Sequence, residues 1–588
     1  MFDAVELGLF FDNNGNATKP FAYLYIKPTF YIKSDAEIPK YLKFEIGKAY
    51  HEALLQGQPN VKFNNQIERW RSIFFPSGKN VIFEYPLNSG TGFKFSISAN
   101  TMHVSLTKAS GGYALRLPDT FDRRVILHSG IQYNEPYLEF VDKNSGKIVT
   151  DFHPMRGLIK NRPYDFSLNG NVFDPEISLG IICPDQYKNV LYDFLDRLNK
   201  TQSAGAFNPD YLIDYPGFVN AYGIPLNVPD VNSDLWKDYS INLPISNLMQ
   251  SATEFADKIK KAIDQLESVN KKLVLVVFIP TEWNIISDID NENEEFDLHD
   301  YIKAYAAQKQ IATQFIQEST LSDMLTCQVN WWLSLSFYVK AQRTPWVLNG
   351  LESNTAFVGI GYSVSGRKDK NKVVLGCSHI YNSLGQGLKY RLSKVEDCYL
   401  DRQNNPYLSY QDAYKFGTLI RELFFNTMGE IPKRVVVHKR THFKHDEIKG
   451  IVDSLKKSGV QQIDLVEINF EESARFVALY SKGDTVMPGM FPLSRGSCFL
   501  LDASTALLWT HGIVPSVKSD NRSYYLGGKN IPIPLKIKKH YGLSNIGTIA
   551  TEILGLTKMN WNSFDLWEVL KIRFFNILQS NFSYQSVI

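Results

Sequence analysis

The sequence is poor in the features that mark secreted, membrane-embedded and metal-stapled proteins. Its 588 residues include only 5 cysteines, none of them in a CxxC spacing, which argues against a zinc ribbon and against a disulfide framework. No apolar run approaches the roughly 20 residues that a membrane-spanning helix needs. The first residues, MFDAVELGLFFDNNG, include acids and no basic stretch, unlike a secretory signal. We therefore expect a cytoplasmic protein that makes no contact with a membrane.

The chain also lacks a strong charge of either sign. Its 63 Lys and Arg residues balance 61 Asp and Glu residues, which leaves a formal net charge of +2. Any surface that attracts nucleic acid must therefore come from local basic clusters. Such clusters occur at 433–434, at 438–444 (HKRTHFK) and at 536–540 (KIKKH). Taken alone, each cluster is also typical of an ordinary solvated surface.

What is present is the composition of a globular protein, with 44% hydrophobic and 21% charged residues. The length predicts about three to four domains. Residues 1–125 alternate apolar and polar residues between turn-forming stretches, which predicts a β-rich region of unknown role with one helix near 41–55. Residues 126–175 are rich in turn residues and are predicted to be a linker. Two α/β regions are expected to follow, at 176–346 and 347–588.

The first α/β region carries the most informative residues of the chain. An apolar, β-branched strand is predicted over 273–280, and after an acidic loop comes a helix with His299 and Lys303 on one face, four residues apart. Gln314 follows in IATQFIQEST, and Lys340 ends a second helical stretch, WWLSLSFYVK. Strand, loop and helix in this order predict a Rossmann-like half, in which anions bind beyond the carboxyl end of the strand.

Two cations, an imidazole and an amide from three segments suit a small anion that is partly flat. The 5′-terminal nucleotide of a nucleic acid fits, with its phosphate on the lysines and its base against the imidazole. The order His-x3-Lys, then Gln, then a Lys ahead of a Thr-Pro-Trp turn resembles the guide-end pocket in the MID domain of prokaryotic Argonautes. Each residue alone is also typical of a solvated helix face, so the assignment depends on the set.

The second α/β region resembles the PIWI domain of the same family, which has an RNase H-like fold. The sequence predicts a hairpin of strands 356–364 and 372–379, a helix capped by Ser409 and ended near Gly429, and the strand RVVVHKR. The stretches VHKRTHF and LTKMNWN carry this part of the resemblance, which in all covers residues 130–588. The resemblance implies an α/β protein: a Rossmann-like MID domain, an RNase H-like PIWI domain and a β-rich N-terminal region.

An active PIWI domain cleaves with two metal ions held by several carboxylates, and this sequence lacks them at the positions that the resemblance indicates. Those positions are occupied by Gly361, by His438 or Lys439, and by Asn560 and Asn562. Glu396 is one candidate for a remaining glutamate. A lysine repels a metal ion, and an amide replaces an anionic ligand poorly. We therefore expect no catalytic residues and no nuclease activity.

Basic residues of the PIWI-like region suit the phosphates of a nucleic-acid backbone. Those predicted to contact it are Lys439, Arg440, His442, Lys536 and Lys538. His438, His442 and His445 also have metal-like spacing, but without thiolates a polar rim is the better interpretation. Asp502 in FLLDAS is a rival for a displaced catalytic acid, and we interpret it as the cap of a following helix through residues 504–505.

The resemblance also implies a structural Mg²⁺ at the 5′ end of the guide. In this family an apolar tail returns toward the MID domain, so the terminal carboxylate of Ile588 is expected to coordinate the ion together with Gln314. A disordered tail is the alternative.

Together these features resemble a short prokaryotic Argonaute with MID and PIWI domains, no PAZ domain, and His299 where many relatives have tyrosine. The resemblance implies a defence protein against plasmids and phage, which binds a small 5′-phosphorylated guide, RNA or DNA, and complementary invader DNA without cutting it. It also implies a separate effector that carries an APAZ module and an NADase or nuclease domain. The alternatives are an active guided nuclease and a guide-independent single-strand-binding protein.

Overall fold

A computed structural model describes individual strands of the first 125 residues and most of the chain after them. The described ranges are 2–12, 21–31, 81–85, 93–97, 102–108, 126–168, 173–205, 212–239, 247–269, 271–290, 295–322, 326–350, 354–364, 373–380, 389–394, 398–401, 405–470, 479–482, 485–488, 493–514, 518–519, 522–523, 532–559, 561 and 564. These residues divide into two compact units. The first draws on residues 1–135, 469–538 and 545–551, and the second on 136–468, 539–544 and 552–588.

The second unit contains the parallel sheet that the sequence predicts. Strands β1 (Ile177–Ile182), β2 (Leu273–Ile279) and β3 (Ala312–Gln317) lie side by side in that order and are all parallel. In the described part of the chain, β3 is the edge of this sheet. The short strands Leu226–Asn227 and Trp236–Lys237 both pair with β1. Strand β2 confirms the predicted apolar run, since a parallel strand is covered on both faces.

Helices cover both faces of this sheet. Helices α1 (Leu248–Glu267) and α2 (Leu298–Gln308) share a core with alternate residues of β2, and Phe315 of β3 packs against that core. Helix α3 (Thr326–Lys340) contacts the neighbouring residue Gln314. Because successive residues of a strand point to opposite faces, α3 lies on the other side of β3 from α2.

The second unit also contains the mixed sheet of the second α/β region. Strand β4 (Thr355–Val364) pairs antiparallel with Val373–Ile380, which pairs in turn with Lys389–Lys394. On its other side β4 is parallel to β5 (Arg434–Lys439), and β5 is parallel to β6 (Gln462–Phe470). Between these strands in the chain come α4 (Tyr410–Met428) and α5 (His445–Lys457), which pack on one face of the sheet.

The cap and the end of α4 were predicted correctly from the sequence. The side chain of Ser409 accepts the backbone N–H of Asp412 at the start of α4, and Gly429 ends the helix in the left-handed conformation, with φ 73°. Both are confirmed, as are the hairpin and the strand after the helix. The strand Lys389–Lys394 and helix α5 were not predicted from the sequence.

The segment 126–175 is not a linker, and this prediction is wrong. Strands Leu138–Val141 and Ile148–Asp151 form a small sheet with Val347–Leu348, and helix Pro154–Lys160 follows them. Its turn residues make the short connections within this structure: residues 143–145 form a hairpin turn in which Asp142 Oδ1 accepts the backbone N–H of Ser145 at 2.7 Å. Frequent turn residues therefore marked short elements and not an absence of structure.

Smaller elements complete the second unit. The strands are Asp288–Asp290, Glu295–Asp297, Cys398–Leu400 and Pro406–Leu408. The α-helices are Lys188–Asp196, Phe218–Tyr222, Asn284–Ser287 and Glu318–Leu321, and the 3₁₀ helices are Tyr164–Ser167, Asp185–Tyr187, Arg197–Asn199 and Thr281–Trp283.

The first unit is rich in β-strands, which confirms the prediction for the described residues of the N-terminal region. One run of neighbouring strands is Met102–Lys108, Ile126–Gln132, Ser497–Leu500, Thr505–Leu508 and Leu535–Tyr541. The hairpins are Phe2–Asp12 with Phe21–Tyr31, Val81–Tyr85 with Phe93–Ile97, Leu479–Lys482 with Thr485–Pro488, and Lys518–Ser519 with Arg522–Ser523. The N-terminal strands thus share a unit with residues 469–538. The helix predicted near 41–55 lies outside the described residues.

Three described elements contribute residues to both units: β6, the strand Leu535–Tyr541 and the helix Ile546–Leu556. Among the helices in the described ranges, none combines the length and the apolar character needed to cross a membrane.

Asp502 is a turn residue and does not cap a helix, so that prediction needs correction. Its Oδ1 accepts the backbone N–H of Ser504 at 2.6 Å and the hydroxyl of the same residue at 2.7 Å. The element that follows is the strand Thr505–Leu508, which pairs with Ser497–Leu500 in a hairpin. The same hydrogen bond that caps a helix also stabilises a tight turn.

Two residues after the last residue of α2, and likewise after α3, a glutamine adopts the left-handed conformation. Gln310 has φ 59° and Gln342 has φ 61°. After α2, the backbone N–H groups of Gln310 and Ile311 donate to carbonyls of the last turn, as at helix ends where glycine is usual. A side chain in this conformation costs roughly 1–2 kcal/mol, a cost that glycine avoids.

We predict that Gln310→Gly stabilises the protein by about 0.5–1 kcal/mol, because relief of the left-handed strain exceeds the added chain entropy. Gln308→Gly, at the last residue of the same helix, should destabilise it by about 1 kcal/mol, because this position is helical. Urea unfolding monitored by circular dichroism compares the midpoints. Two shifts of the same sign would contradict the assigned helix end.

Candidate nucleic-acid interface

The four predicted pocket residues lie around the edge strand β3. His299 and Lys303 are on α2, Gln314 is the third residue of β3, and Lys340 is the last residue of α3. Gln314 is level with Val276, in the middle of β2. Gln314 therefore lies beside the middle of the sheet and not beyond the carboxyl ends of the strands, where the sequence led us to expect the site. An edge strand has an open side, and helices on the two faces of the sheet can meet there.

Gln314 connects the strand to α3 through its side-chain amide. Its Oε1 accepts a hydrogen bond from Lys340 Nζ at 2.5 Å and one from Ser336 Oγ at 2.6 Å, while its Nε2 donates to the Phe315 carbonyl at 2.8 Å. Because an ammonium only donates, the oxygen must face Lys340. The sequence analysis missed Ser336, which lies four residues before Lys340, on the same face of the helix. That spacing was the available signal.

The two lysines of the pocket repel each other. Burial lowers the pKa of Lys340 well below its ordinary value, and the nearby charge of Lys303 lowers it further. Burial also lowers the pKa of Lys303, although the charges of Asp300 and Asp297 oppose this. Within the described residues, neither ammonium forms an ion pair. The amide oxygen of Gln314 is the hydrogen-bond acceptor that Lys340 has here.

The five cationic side chains that are most buried in the described residues all have oxygen partners. Arg343 pairs with Asp165, Arg434 with Asp464 and Glu552, Lys439 with Glu447, and Arg495 with Glu135, while Lys558 donates to the carbonyls of Pro136 and Phe152. Such pairing is the rule, since a desolvated charge without a partner is costly. Lys303 and Lys340 are only partly buried, and neither pairs with a carboxylate in the described residues, although Lys340 has the neutral oxygen of Gln314. The two ammonium groups therefore bring an excess of positive charge that an anion would balance.

His299 lies one turn before Lys303, at the start of α2. Its ring packs against Phe315, with 4.8 Å between ring centroids and 60° between ring planes. Its Nδ1 lies 3.1 Å from Asp300 Oδ1. The side chain remains 41% exposed, so ring surface is available for a ligand. An imidazole held in this way suits stacking on a nucleobase.

The donor set around Gln314 fits a Mg²⁺ ion poorly without further ligands. Mg²⁺ prefers oxygen ligands, often carboxylates, but the described neighbours of the Gln314 side chain are a lysine, a serine and a backbone carbonyl. The Gln314 oxygen already accepts two hydrogen bonds. Anionic ligands would have to come from guide phosphates and from Ile588, which lies outside the described residues.

Asp297, His299 and Asp300 place one ligand atom each within 4.8 Å of one another. Asp297 accepts the backbone N–H of Asp300 as the cap of α2, and Asp300 contacts the ring of His299. These local hydrogen bonds account for the cluster, and we assign no metal ion to it.

The ends of β4 and β5 are the places where the resemblance puts metal-binding acids. The structure corrects which residue of β5 shares a face with Gly361. Ile360 of β4 is level with Lys439 of β5, so the two side chains share a face, and Gly361 belongs to the opposite face. By the same alternation, the residue of β5 on the side of Gly361 is His438, which is level with Gly359 and about 1% exposed. Lys439 does not stand where a second metal-binding acid would face an acid at 361. Arg440 follows the end of β5 and is exposed.

Lys439 is buried, and its predicted contact with a nucleic-acid backbone needs correction. The lysine and Glu447 are each about 1% exposed, with Nζ 2.5 Å from Glu447 Oε1. Glu447 also accepts the backbone N–H groups of Leu408 and Lys444, both at 3.0 Å. Burial lowers the pKa of Lys439, and the charge of Glu447 opposes this. The ammonium of Lys439 is therefore not available for a phosphate.

The other residues predicted to contact the backbone remain accessible. Arg440 and His442 are exposed, and His442 Nδ1 lies 3.0 Å from the Tyr407 hydroxyl. In the first unit, Lys536 and Lys538 are partly exposed on one face of a strand whose intervening residue, Ile537, is buried. Their contacts with phosphates stay predictions. Glu396, Asn560 and Asn562 lie outside the described residues.

The known proteins that are similar to this chain include Argonautes. No family model matches the chain. A curated relative, "Protein argonaute" of Aquifex aeolicus (strain VF5), is 23% identical over 321 residues, which is 54% of this chain and 39% of that protein. The alignment thus spans less than half of that relative.

Solved structures agree on the fold. Clostridium butyricum Argonaute, bound to a guide DNA (5′ deoxycytidine) and a 19-mer target DNA, matches with a TM-score of 0.58 and 16% identity, over 96% of this chain and 63% of that one. A. aeolicus Argonaute matches with a TM-score of 0.50 and 17% identity, over 94% and 61%. The chain therefore has the α/β fold of the Argonautes, and about half of it is similar in sequence to the A. aeolicus protein.

Proposed function

We propose that this protein binds the 5′-phosphorylated end of a small guide and uses the guide to recognise complementary DNA without cutting it. RNA is the expected guide. Lys303 and Lys340 hold the 5′-phosphate, Gln314 holds Lys340 in place, and His299 stacks on the first base. Arg440, His442, Lys536 and Lys538 contact the nucleic-acid backbone.

One observation carries the proposal: Lys303 and Lys340 lie close enough to repel each other, and neither pairs with a carboxylate within the described residues. A phosphate supplies the missing negative charge and several strong hydrogen-bond acceptors. Gln314 and Ser336 fix one of the two ammonium groups beforehand. A terminal phosphate carries more negative charge than an internal one and is bonded to the chain on one side only. It therefore suits a pocket formed by two ammonium groups.

Binding without cleavage is supported by the residues at the strand ends. Gly361 provides no ligand, and the exposed cation Arg440 directly follows the neighbouring strand β5. The carboxylates nearby are occupied: Glu447 pairs with Lys439, and Glu467 lies 2.7 Å from His540 Nε2. Two-metal cleavage requires carboxylates that are free to hold the ions. The contrary activity, guided cleavage, needs ligands from residues beyond the described ranges.

The biological part of the proposal rests on the resemblance to short prokaryotic Argonautes. In it, the guide–target duplex activates a separate effector that carries an APAZ module and an NADase or nuclease domain, in defence against invading DNA. The same resemblance implies a structural Mg²⁺, which Gln314 and Ile588 would hold together with guide phosphates.

The first test is the nucleic acid that copurifies with the protein. A guide-binding protein yields short nucleic acids of uniform length that carry a 5′-phosphate, and treatment with RNase or DNase identifies their chemistry. A guide-independent single-strand-binding protein yields fragments of mixed length and mixed 5′ ends, a result that contradicts the proposal.

Replacing both pocket lysines should abolish guide loading. Each charge-assisted contact contributes roughly 1.5–3 kcal/mol, so Lys303→Ala/Lys340→Ala should weaken binding of a 5′-phosphorylated guide roughly a hundredfold or more. Filter binding with a labelled guide measures this.

The matched control is Lys260→Ala/Lys309→Ala, which removes the same charge from α1 and from the end of α2. Those lysines already pair with carboxylates, so the control should load guide normally. Equal loading by both double variants would refute the pocket.

The guide-loaded protein should not cut its target. Gly361→Asp should leave it inactive too, because one acid beside Arg440 does not make a site for two metal ions. Incubation with complementary DNA and with RNA, in Mg²⁺ and in Mn²⁺, tests both proteins. A product cut once at a fixed distance from the guide 5′ end, and missing with Lys303→Ala/Lys340→Ala, would overturn the proposal of binding without cleavage.

A further inference from the structure

Asp300 lies between the two functional side chains of α2. Its Oδ1 is 3.1 Å from His299 Nδ1, and its backbone N–H donates to the side chain of Asp297 at 2.9 Å. The second contact fixes Asp300 in the first turn of the helix. The side chain of Asp300 is 19% exposed, about half the exposure of the histidine beside it.

The contact between Asp300 and His299 restrains the imidazole ring. Neighbouring residues on a helix point in different directions, so this contact requires the two side chains to turn toward each other. Phe315 covers part of the ring from β3, with 4.8 Å between centroids. The carboxylate then restricts rotation of the ring about its last torsion. A ring held by two neighbours loses less entropy when a base stacks on it.

The same carboxylate balances charge in the pocket. Asp300 is three residues before Lys303, a spacing that brings side chains together on a helix. Its charge is the larger of the two carboxylate influences that oppose the burial effect on the pKa of Lys303. A phosphate that enters the pocket takes over this balancing and is itself repelled by Asp300.

We propose that Asp300 is a positioning residue with two opposed effects on guide binding: it holds His299 for stacking on the first base, and it weakens the grip on the phosphate. This inference rests on the proposed function. It makes Asp300 a determinant of how binding is divided between the first base and the 5′-phosphate.

Two readouts separate these effects. Guides with 2-aminopurine as the first base report stacking, because stacking quenches its fluorescence. The ratio of affinities for 5′-phosphate and 5′-hydroxyl guides of one sequence reports the phosphate contact alone. Wild-type protein should quench the fluorophore through His299, as shown by loss of quenching in His299→Ala, and should prefer the phosphate.

Asp300→Ala should lose most of the quenching while its phosphate preference rises about two- to fivefold, the range expected for one partly exposed charge. Asp300→Asn keeps an oxygen that accepts a hydrogen bond from the ring, so it should retain quenching and show the same rise in preference. The control Asp264→Ala removes an acid that pairs with Lys309 near the far end of α2 and should change neither readout.

General damage to the helix would lower quenching and phosphate preference together in Asp300→Ala, and unchanged values would show no role. Either result overturns the inference, and a loss of quenching in Asp300→Asn equal to that in Asp300→Ala overturns the positioning part. Should Asp300→Ala not fold, an unchanged phosphate preference in Asp300→Asn overturns it instead. A wild-type protein with no phosphate preference, or with quenching independent of His299, refutes the proposed function itself.

Discussion

The repulsion between Lys303 and Lys340 is the constraint on which the account depends. Burial and mutual repulsion both disfavour two ammonium groups in one pocket, and the chain holds them there without an ion pair among the described residues. Lys439, at the end of β5, is in a different situation, since it is buried against Glu447 at 2.5 Å. That cation is neutralised inside the protein, whereas Lys303 and Lys340 have no carboxylate partner in the described residues.

The fold explains how side chains of α2, β3 and α3 come together in one pocket. Strand β3 is the edge of its sheet in the described part, so α2 and α3, on opposite faces, can both reach around its open side. Gln314 links β3 to α3 by accepting hydrogen bonds from Ser336 and Lys340. The repulsion between the lysines is unfavourable for folding, whereas the core that α1 and α2 share with β2 contributes stability. Functional sites commonly depart in this way from what stability alone would favour.

Patterns within one element could be predicted from the sequence, whereas relations between elements largely could not. The apolar run of β2, the Ser409 cap, the Gly429 helix end and the facing pair His299 and Lys303 are local and were correct. The position of Lys439 was misjudged because the pairing register of two strands decides which residue faces Gly361, and one residue of shift exchanges the faces. Asp300 and Ser336 were missed because they act on other side chains and have no motif of their own.

The most direct test of the central claim compares two oligonucleotides that differ only at the 5′ end. A pocket whose lysines need an anion must distinguish a terminal phosphate from a hydroxyl, whatever the sequence. Competition binding to the wild-type protein, with one RNA carrying a 5′-phosphate and the same RNA carrying a 5′-hydroxyl, measures this. The account predicts a preference for the phosphate of roughly tenfold or more. Equal affinity at moderate salt would contradict it.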